Sequence, residues 1–310
     1  MSWIPLDDCW FLSGPTASGK SAVGIALARS LDAEIVSMDS MALYRGMDLG
    51  TAKPTPDERA AVPHHLIDVV EPHQEYSLAE YVAAAHRAAA SIRQRGRRVL
   101  FVGGTPLYLK ALLRGIFEGP AADPELRRRL EDEERRFGPG HLHRRLAAVD
   151  PAAAARLHPN DTRRLVRALE VYEKTGRPIS EYQVQFNAPR PAPPRHVFVL
   201  DWPRDELVLR IDRRVDAMFA AGLVDEVRRL AAGPLPLSRT ARQALGYREV
   251  LEHLAGVRGL AETIDRVKIH TRQFAKRQST WFRSLSECRF VPLRGELDPV
   301  RVAQRLCADA

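Results

Sequence analysis

The chain has 310 residues, 45% of them hydrophobic, enough for one large domain or two moderate ones around a sizeable core. Its formal charge is +8 and only six of its 47 basic residues are Lys, so the excess is Arg, read either as a polyanion-binding surface or as an Arg-biased solvated one. No run of eighteen apolar residues occurs, so no membrane helix is expected, and three distant cysteines (Cys9, Cys288, Cys307) argue against a zinc module or disulfide framework and fit a reducing cytoplasm.

The opening "MSWIPLDDCW" is acidic and lacks a basic segment, so no secretory signal is expected. "CWFLSG" (9–14) is a short apolar run entering a Gly-rich turn, and "KSAVGIALARSL" (20–31) carries apolar residues at helical spacing. "AEIVSMDS" (33–40) reads as a second strand and "HHLIDVV" (64–70) as a possible third. A helix is predicted over 78–96, ending at a glycine, and "RRVLFVGGT" (97–105) is another buried strand. Strands and helices alternating at these lengths predict an α/β fold, a parallel sheet flanked by crossover helices as in P-loop NTPases.

From about 121 to 190 no strand is expected. "DPELRRRLEDEERRFG" (123–138) and "NDTRRLVRALEVYEKTG" (160–176) read as helices, the second with Asn160 or Asp161 as N-cap and Gly176 as C-cap. "PRPAPP" (189–194) is a linker, and "HVFVLDW" (196–202) returns to strand. A helical block between two strands of one sheet is an inserted subdomain, so the core is assigned to 1–120 and 191–310 and the all-helical insertion to 121–190. The remainder is mainly helical, with "RFVPL" (289–293) as a last short strand.

"GPTASGKS" matches the phosphate-binding loop G-x-x-x-x-G-K-[ST], with a strand before it and a helix after it. Loop amides from Gly14, Pro15 (carbonyl only), Thr16, Ala17, Ser18 and Gly19 surround a diphosphate, Lys20 adds a full charge, and the Ser21 hydroxyl reaches Mg²⁺. Such a loop recognises a diphosphate, not adenosine. The strand expected to supply a metal-binding Asp ends in Gly-Gly-Thr instead, which weakens an ATP-hydrolysing reading.

In open parallel sheets ligands bind beyond the carboxyl ends of the strands. There the first strand supplies the loop, the second Asp39 and Ser40, and the third Thr105. A carboxylate beside a diphosphate is unfavourable, so Asp39 serves as a general base on an acceptor, as a metal ligand, or as a helix cap. Thr105 either donates to a leaving oxygen or caps the helix beginning at Pro106. On these residues alone three functions stay open: group transfer to an RNA base, a small-molecule kinase with the insertion as lid, and a non-catalytic RNA-binding P-loop protein.

The motifs "GPTASGKS", "SMDSMALYRGMDLGTAKP" (37–54), "FVGGTPLYLKALLRG" (101–115), "HPNDTRRLVRALEVY" (158–172), "ALGYRE" (244–249) and "TRQFAKRQSTWFR" (271–283), in this order, resemble the tRNA dimethylallyltransferases (isopentenyl-diphosphate:tRNA transferases) of bacterial type. The resemblance implies transfer of a dimethylallyl group from dimethylallyl diphosphate to N6 of the adenine 3′ of the anticodon, with release of pyrophosphate. It implies Asp39 as general base, Thr105 at the bridging oxygen or amine, Arg214 on the pyrophosphate, and Mg²⁺ as cofactor. The implied tRNA contacts are Asp39, Ser40, Met41, Ala42, Thr105, Arg127, Arg163, Arg164, Leu165, Val166, Arg167, Gln243, Gly246, Tyr247 and Arg248. Gln243 departs from the pattern, since many members carry a basic residue there. The insertion would grip the anticodon stem-loop, and the enzyme would act as a cytoplasmic monomer without a membrane.

A basic stretch, 263–290, holds Arg266, Lys268, Arg272, Lys276, Arg277, Arg283 and Arg289, interleaved with Phe274, Trp281 and Phe282. It reads either as an RNA surface or as core aromatics with solvated cations. The His64–His65 pair has no companion set for a metal and reads as structural.

Overall fold

A computed structural model describes residues 6–117, 119–183 and 194–309. The chain divides into two compact units, Met1–Leu113 with Pro191–Ala310, and Arg114–Arg190.

The first unit is built on a six-stranded sheet of β1 (Trp10–Ser13), β2 (Ala33–Ser37), β3 (His64–His65), β4 (Arg98–Gly103), β5 (His196–Asp201) and β6 (Arg289–Pro292). The spatial order is β3-β2-β4-β1-β5-β6 and every pairing is parallel. β1 lies centrally and all four of its residues are buried, which is why it reads as a continuous apolar run rather than an alternating one. Phe11 stacks on Phe101 of β4 with ring centroids 4.9 Å apart. The expected third strand contracts to two residues: His65 pairs with Val36, and the chain then leaves the sheet, with Val70 forming an isolated parallel bridge to Tyr44 outside it. His65 is held by Glu34 at 2.6 Å and His64 by the Val62 carbonyl, so the pair is structural.

Helices α1 (Lys20–Leu31), α2 (Pro56–Ala61), α3 (Leu78–Gln94) and α4 (Pro106–Arg114) follow in the first half. α3 opens with a reciprocal capping box between Ser77 and Glu80.

The second unit contains α5 (Pro124–Phe137), α6 (His141–Val149), α7 (Pro151–Ala154), α8 (Thr162–Thr175) and α9 (Ile179–Tyr182), with no strand among the described residues. Leu130, Leu142, Leu146, Leu165, Leu169 and Val171 form its core. Asp161, not Asn160, caps α8 by accepting the Arg164 N–H, and Gly176 ends it. This unit begins seven residues before the boundary read from sequence. Phe117 packs on Tyr182, Arg167 donates to the Pro120 carbonyl, and Lys174 to that of Ala121, so the connecting segment belongs with the helices.

The chain re-enters the first unit at β5 and continues through α10 (Arg204–Ala220), α11 (Leu223–Ala231), α12 (Arg239–Arg242), α13 (Tyr247–Leu254), α14 (Leu260–Arg283) and α15 (Pro299–Ala308). Ala303 and Leu306 of α15 share a core with Val23, Leu27 and Leu31 of α1. The linker assigned to 189–194 lies almost wholly outside the described residues.

Candidate active site

The strand order decides the site. β4 sits between β2 and β1, so three polar strand ends become neighbours: Asp39–Ser40 after β2, Thr105 after β4, and the phosphate loop after β1. The Ser13 hydroxyl donates to the Gly103 carbonyl at 2.7 Å where β1 and β4 end in register.

Three side chains outside the loop hold its shape, and sequence reasoning assigned none of them. Trp202 Nε1 donates to the Ser18 carbonyl and Arg210 Nε to the Ala17 carbonyl, each at 2.9 Å. The Arg210 guanidinium lies 4.3 Å from the Trp202 ring centroid, so the two clamps brace each other. Gln278 Oε1 accepts the Thr16 N–H at 2.9 Å. The clamped Ala17 sits at φ 62°, a left-handed conformation that a non-glycine residue adopts only when its surroundings impose it. The only available signal for these residues was proximity to strand ends or motifs.

Lys20 begins α1 and donates to the Pro15 carbonyl at 3.3 Å. Burial first, and the Arg214 charge second, push its ammonium down to about 8, with Asp39 opposing. Arg214, on α10, reaches the Thr51 carbonyl at 3.5 Å; burial disfavours its charge and Asp39 offsets this. Two cations and one carboxylate therefore share one field, although they lie far apart in sequence.

Asp39 Oδ1 accepts the Met41 N–H at 2.9 Å, closing a turn, while Oδ2 has no hydrogen-bond partner among the described residues. No helix begins at this point, so Asp39 closes a turn and is not a helix cap. Thr105 turns its hydroxyl across to the same turn: Oγ1 accepts the Ser40 N–H at 3.1 Å.

Two glycines make this proximity possible. A Cβ on Gly103 would lie 2.2 Å from the Met38 carbonyl carbon, and one on Gly104 would lie 2.9 Å from Gln278 Nε2 and 3.1 Å from Lys20 Nζ. At Gly103 the absence of a side chain is therefore a steric requirement set by the Met38 backbone, whereas at Gly104 the neighbours are side-chain ends.

The loop after Asp39 is fastened by Glu226 of α11, which is 3% exposed. Its Oε2 accepts the Asp48 and Leu49 N–H groups at 3.1 and 2.8 Å, and its Oε1 accepts the Tyr247 hydroxyl at 2.6 Å. Lys53 ties the far side, donating to the Tyr44 carbonyl, Asp48 and Asp68.

The residues expected to meet RNA separate by burial. In the helical unit Arg163 and Arg164 are exposed, but the Leu165 and Val166 side chains are not; the helical period turns them into the unit's own core. Arg127 and Arg167 both bind the buried Glu170. In the first unit Asp39, Ser40, Met41 and Thr105 are partly open, whereas Ala42, Gly246 and Tyr247 are buried. Gln243 and Arg248 are exposed, Arg248 pairing with Glu249 at 2.6 Å.

The 263–290 stretch also divides. Phe282 is core and Trp281 half-buried; Arg266, Lys268, Arg272 and Arg283 pair with Glu262, Asp216, Asp212 and Asp201. Lys276 and Arg277 remain exposed, Arg277 beside Phe274, without an ion pair among the described residues.

No group of three or more His, Cys, Asp or Glu able to hold a metal occurs among the described residues. The exposed Ser21 hydroxyl at the start of α1 is suited to an ion that arrives with phosphate oxygens and keeps its waters, as Mg²⁺ does. Among the described residues no helix is long and apolar enough to cross a membrane.

The family described as IPP transferase matches residues 42–285, and that described as isopentenyl transferase matches 8–72. The tRNA dimethylallyltransferase of Rhodopirellula baltica is 48% identical over 91% of this chain and 87% of its own length. That of Symbiobacterium thermophilum is 51% identical over 92% and 89%. Among solved structures, the full-length tRNA isopentenylpyrophosphate transferase of Bacillus halodurans superposes with a TM-score of 0.70 at 36% identity, covering 97% of this chain and 96% of that one. A eukaryotic dimethylallyltransferase acting on tRNA superposes at 0.74 and 29% identity, covering 92% and 73%. With the glycine-rich loop after β1 and Asp39 after β2 brought to the same end of the sheet, and with this extent of similarity, the chain belongs to the tRNA dimethylallyltransferase family of prenyl-transferring enzymes.

Proposed function

We propose that the enzyme transfers the dimethylallyl group of dimethylallyl diphosphate to N6 of the adenine immediately 3′ of the anticodon. The observation that carries this reading is the shared field of Lys20, Arg214 and Asp39: two cations for a leaving diphosphate and a carboxylate beside them for the acceptor.

The bond between the allylic carbon and the bridging oxygen breaks, and its electron pair leaves with pyrophosphate. The N6 lone pair forms the new carbon–nitrogen bond, and an N6 proton passes to the unengaged Oδ2 of Asp39. Adenine N6 is a poor nucleophile because its lone pair is delocalised into the ring, so the base acts as the bond forms. Loop amides, Lys20 and Arg214 stabilise the charge that develops on the leaving group. Mg²⁺, held through Ser21 and the diphosphate, would supply further charge neutralisation there. Thr105 supports the acceptor side, its hydroxyl set against Ser40.

The base must leave its stack to react, which costs less in a single-stranded loop than in a duplex. Arg163 and Arg164 of the helical unit, and Gln243, Arg248, Lys276 and Arg277 of the first unit, are the exposed groups that support contact with an anticodon stem-loop. A monomer acting in the cytoplasm, where tRNA is matured, fits this reading.

The test is incubation of purified protein with Mg²⁺, dimethylallyl diphosphate and an anticodon stem-loop, followed by mass analysis of the nucleosides. The expected product is N6-dimethylallyl adenosine at one position. Absence of product, or product that requires ATP, overturns the reading.

A further inference from the structure

The phosphate loop and the Thr105 turn leave the sheet side by side and then diverge. Up to Ser13 and Gly103 the strand ladder holds them in register. Beyond those residues the ladder ends, and the spacing between them must be set by something else.

One buried amide spans that gap. Gln278, on α14 and 4% exposed, accepts the Thr16 N–H of the phosphate loop at 2.9 Å and donates to the Gly104 carbonyl at 2.5 Å. Thr105 follows directly. On α14, Ala275 and Phe282 are buried around it, so the amide is presented from a packed helix.

The chemistry of the residue matches the task. A bridge from an N–H to a carbonyl needs an acceptor and a donor on one planar group, which an amide has; a carboxylate only accepts, and Lys or Arg only donates. The neighbourhood also calls for neutrality. A Cβ built on Gly104 touches both Gln278 Nε2 and Lys20 Nζ, so the amide sits near the ammonium that is to hold phosphate. A cation there would repel Lys20, and a carboxylate would compete with the diphosphate for it.

We propose that Gln278 is a positioning residue that sets the span between the leaving-group cradle and the acceptor-side turn of Asp39, Ser40 and Thr105. It acts through the backbone of both segments. The inference rests on the transfer mechanism proposed above: in an in-line displacement the leaving oxygen, allylic carbon and attacking nitrogen must be spaced together, and a misplacement of about 1 Å costs on the order of a hundredfold in rate.

The test compares wild type with Gln278→Met, which keeps the volume without hydrogen bonds, and Gln278→Glu, which keeps only the acceptor. Steady-state transfer from dimethylallyl diphosphate to a stem-loop is measured, with pyrophosphate and stem-loop affinities by calorimetry and thermal melts of each protein. For Gln278→Met, kcat is expected to fall about a hundredfold while both affinities stay within about threefold and the melt stays cooperative. Gln278→Glu is expected to lose kcat similarly and to bind pyrophosphate more weakly as well.

Unchanged kcat in Gln278→Met beside an active wild type overturns the inference and leaves the proposed function standing. Loss of a cooperative melt in both variants, or a fall in both affinities that matches the fall in turnover, makes Gln278 merely structural and overturns it. A wild type that transfers nothing removes the proposed function and this inference together.

Discussion

Arg127 donates from Nε and Nη2 to the two carboxylate oxygens of Glu170, both at 2.8 Å, and Glu170 is completely buried at the centre of the helical unit. Arg167 and the Asp123 N–H bind the same carboxylate. Two arginines that the motif match assigns to RNA are thus first of all partners of one internal acid. Their side chains stay partly exposed, although their guanidinium groups are tied to that buried carboxylate.

Glu170→Ala removes the acceptor and leaves two guanidinium groups uncompensated. Because both arginines are partly exposed and solvent screens them, the loss is expected to fall below the cost of breaking a fully buried pair. Hydrogen exchange of the intact protein is expected to show amides of α5 and α8 losing protection while the sheet keeps its own. Burial works to raise the Glu170 pKa, but Arg127, the Asp123 amide and Arg167 outweigh it and bring it down to about 2. A depressed folded-state pKa contributes stability that is complete above the ordinary value of 4.5 and is lost as pH falls toward about 2. Protection factors in the helical unit, corrected for the intrinsic exchange rate at each pH, should therefore fall across that acid window, and less so in Glu170→Gln.

Lys20 gives a pH dependence of the opposite sense. With its ammonium pushed down to about 8 by burial and Arg214, the free enzyme loses the loop's charge as pH rises through that value. The ratio kcat/KM for dimethylallyl diphosphate should fall above pH 8, since it reports the free enzyme. The limb in kcat should lie at higher pH, because bound diphosphate favours the protonated form. Coincident limbs would assign the titration elsewhere.

The adjacent glycines should fail differently when changed to Ala. Gly103→Ala places a methyl 2.2 Å from backbone at Met38 and should lower the melting temperature. Gly104→Ala meets side-chain ends of Gln278 and Lys20, which can yield. It should fold but transfer poorly. Thermal melts and turnover of the two variants separate these outcomes.

Asp39→Asn keeps an oxygen for the Met41 N–H and so preserves the turn. Loss of a general base typically costs about 10² to 10⁴ in rate. Turnover should fall in that range, with stem-loop affinity little changed in a binding titration. Turnover within about threefold of wild type would remove the base role from Asp39.

The legible parts of the molecule were those whose cause is local. β1, the phosphate loop and α1 follow from an apolar run, a glycine pattern and a helical period within 23 residues, Cys9 to Leu31. The Asp161 and Gly176 ends of α8 follow from capping chemistry. The burial of Leu165 and Val166 was not legible because a motif boundary carries no phase: the same helix that exposes Arg163 and Arg164 buries the next two residues. The two readings of the 263–290 stretch, RNA surface or core aromatics with solvated cations, could not be separated in sequence because its acidic partners, Asp201, Asp212 and Asp216, come from elements some fifty or more residues earlier.

The sequence by itself determined the alternation of strands and helices, the glycine-rich loop between β1 and α1, the helical insertion and the polar residues at three strand ends, because each is written within one element by hydrogen-bonding and apolar periodicity. Only the tertiary structure decided that β4 lies between β1 and β2, that Lys20, Arg214 and Asp39 share one field, and that Gln278, Trp202 and Arg210 hold the loop. Those are contacts between segments brought together by burying the sheet on both faces, and no local pattern encodes which distant side chain arrives.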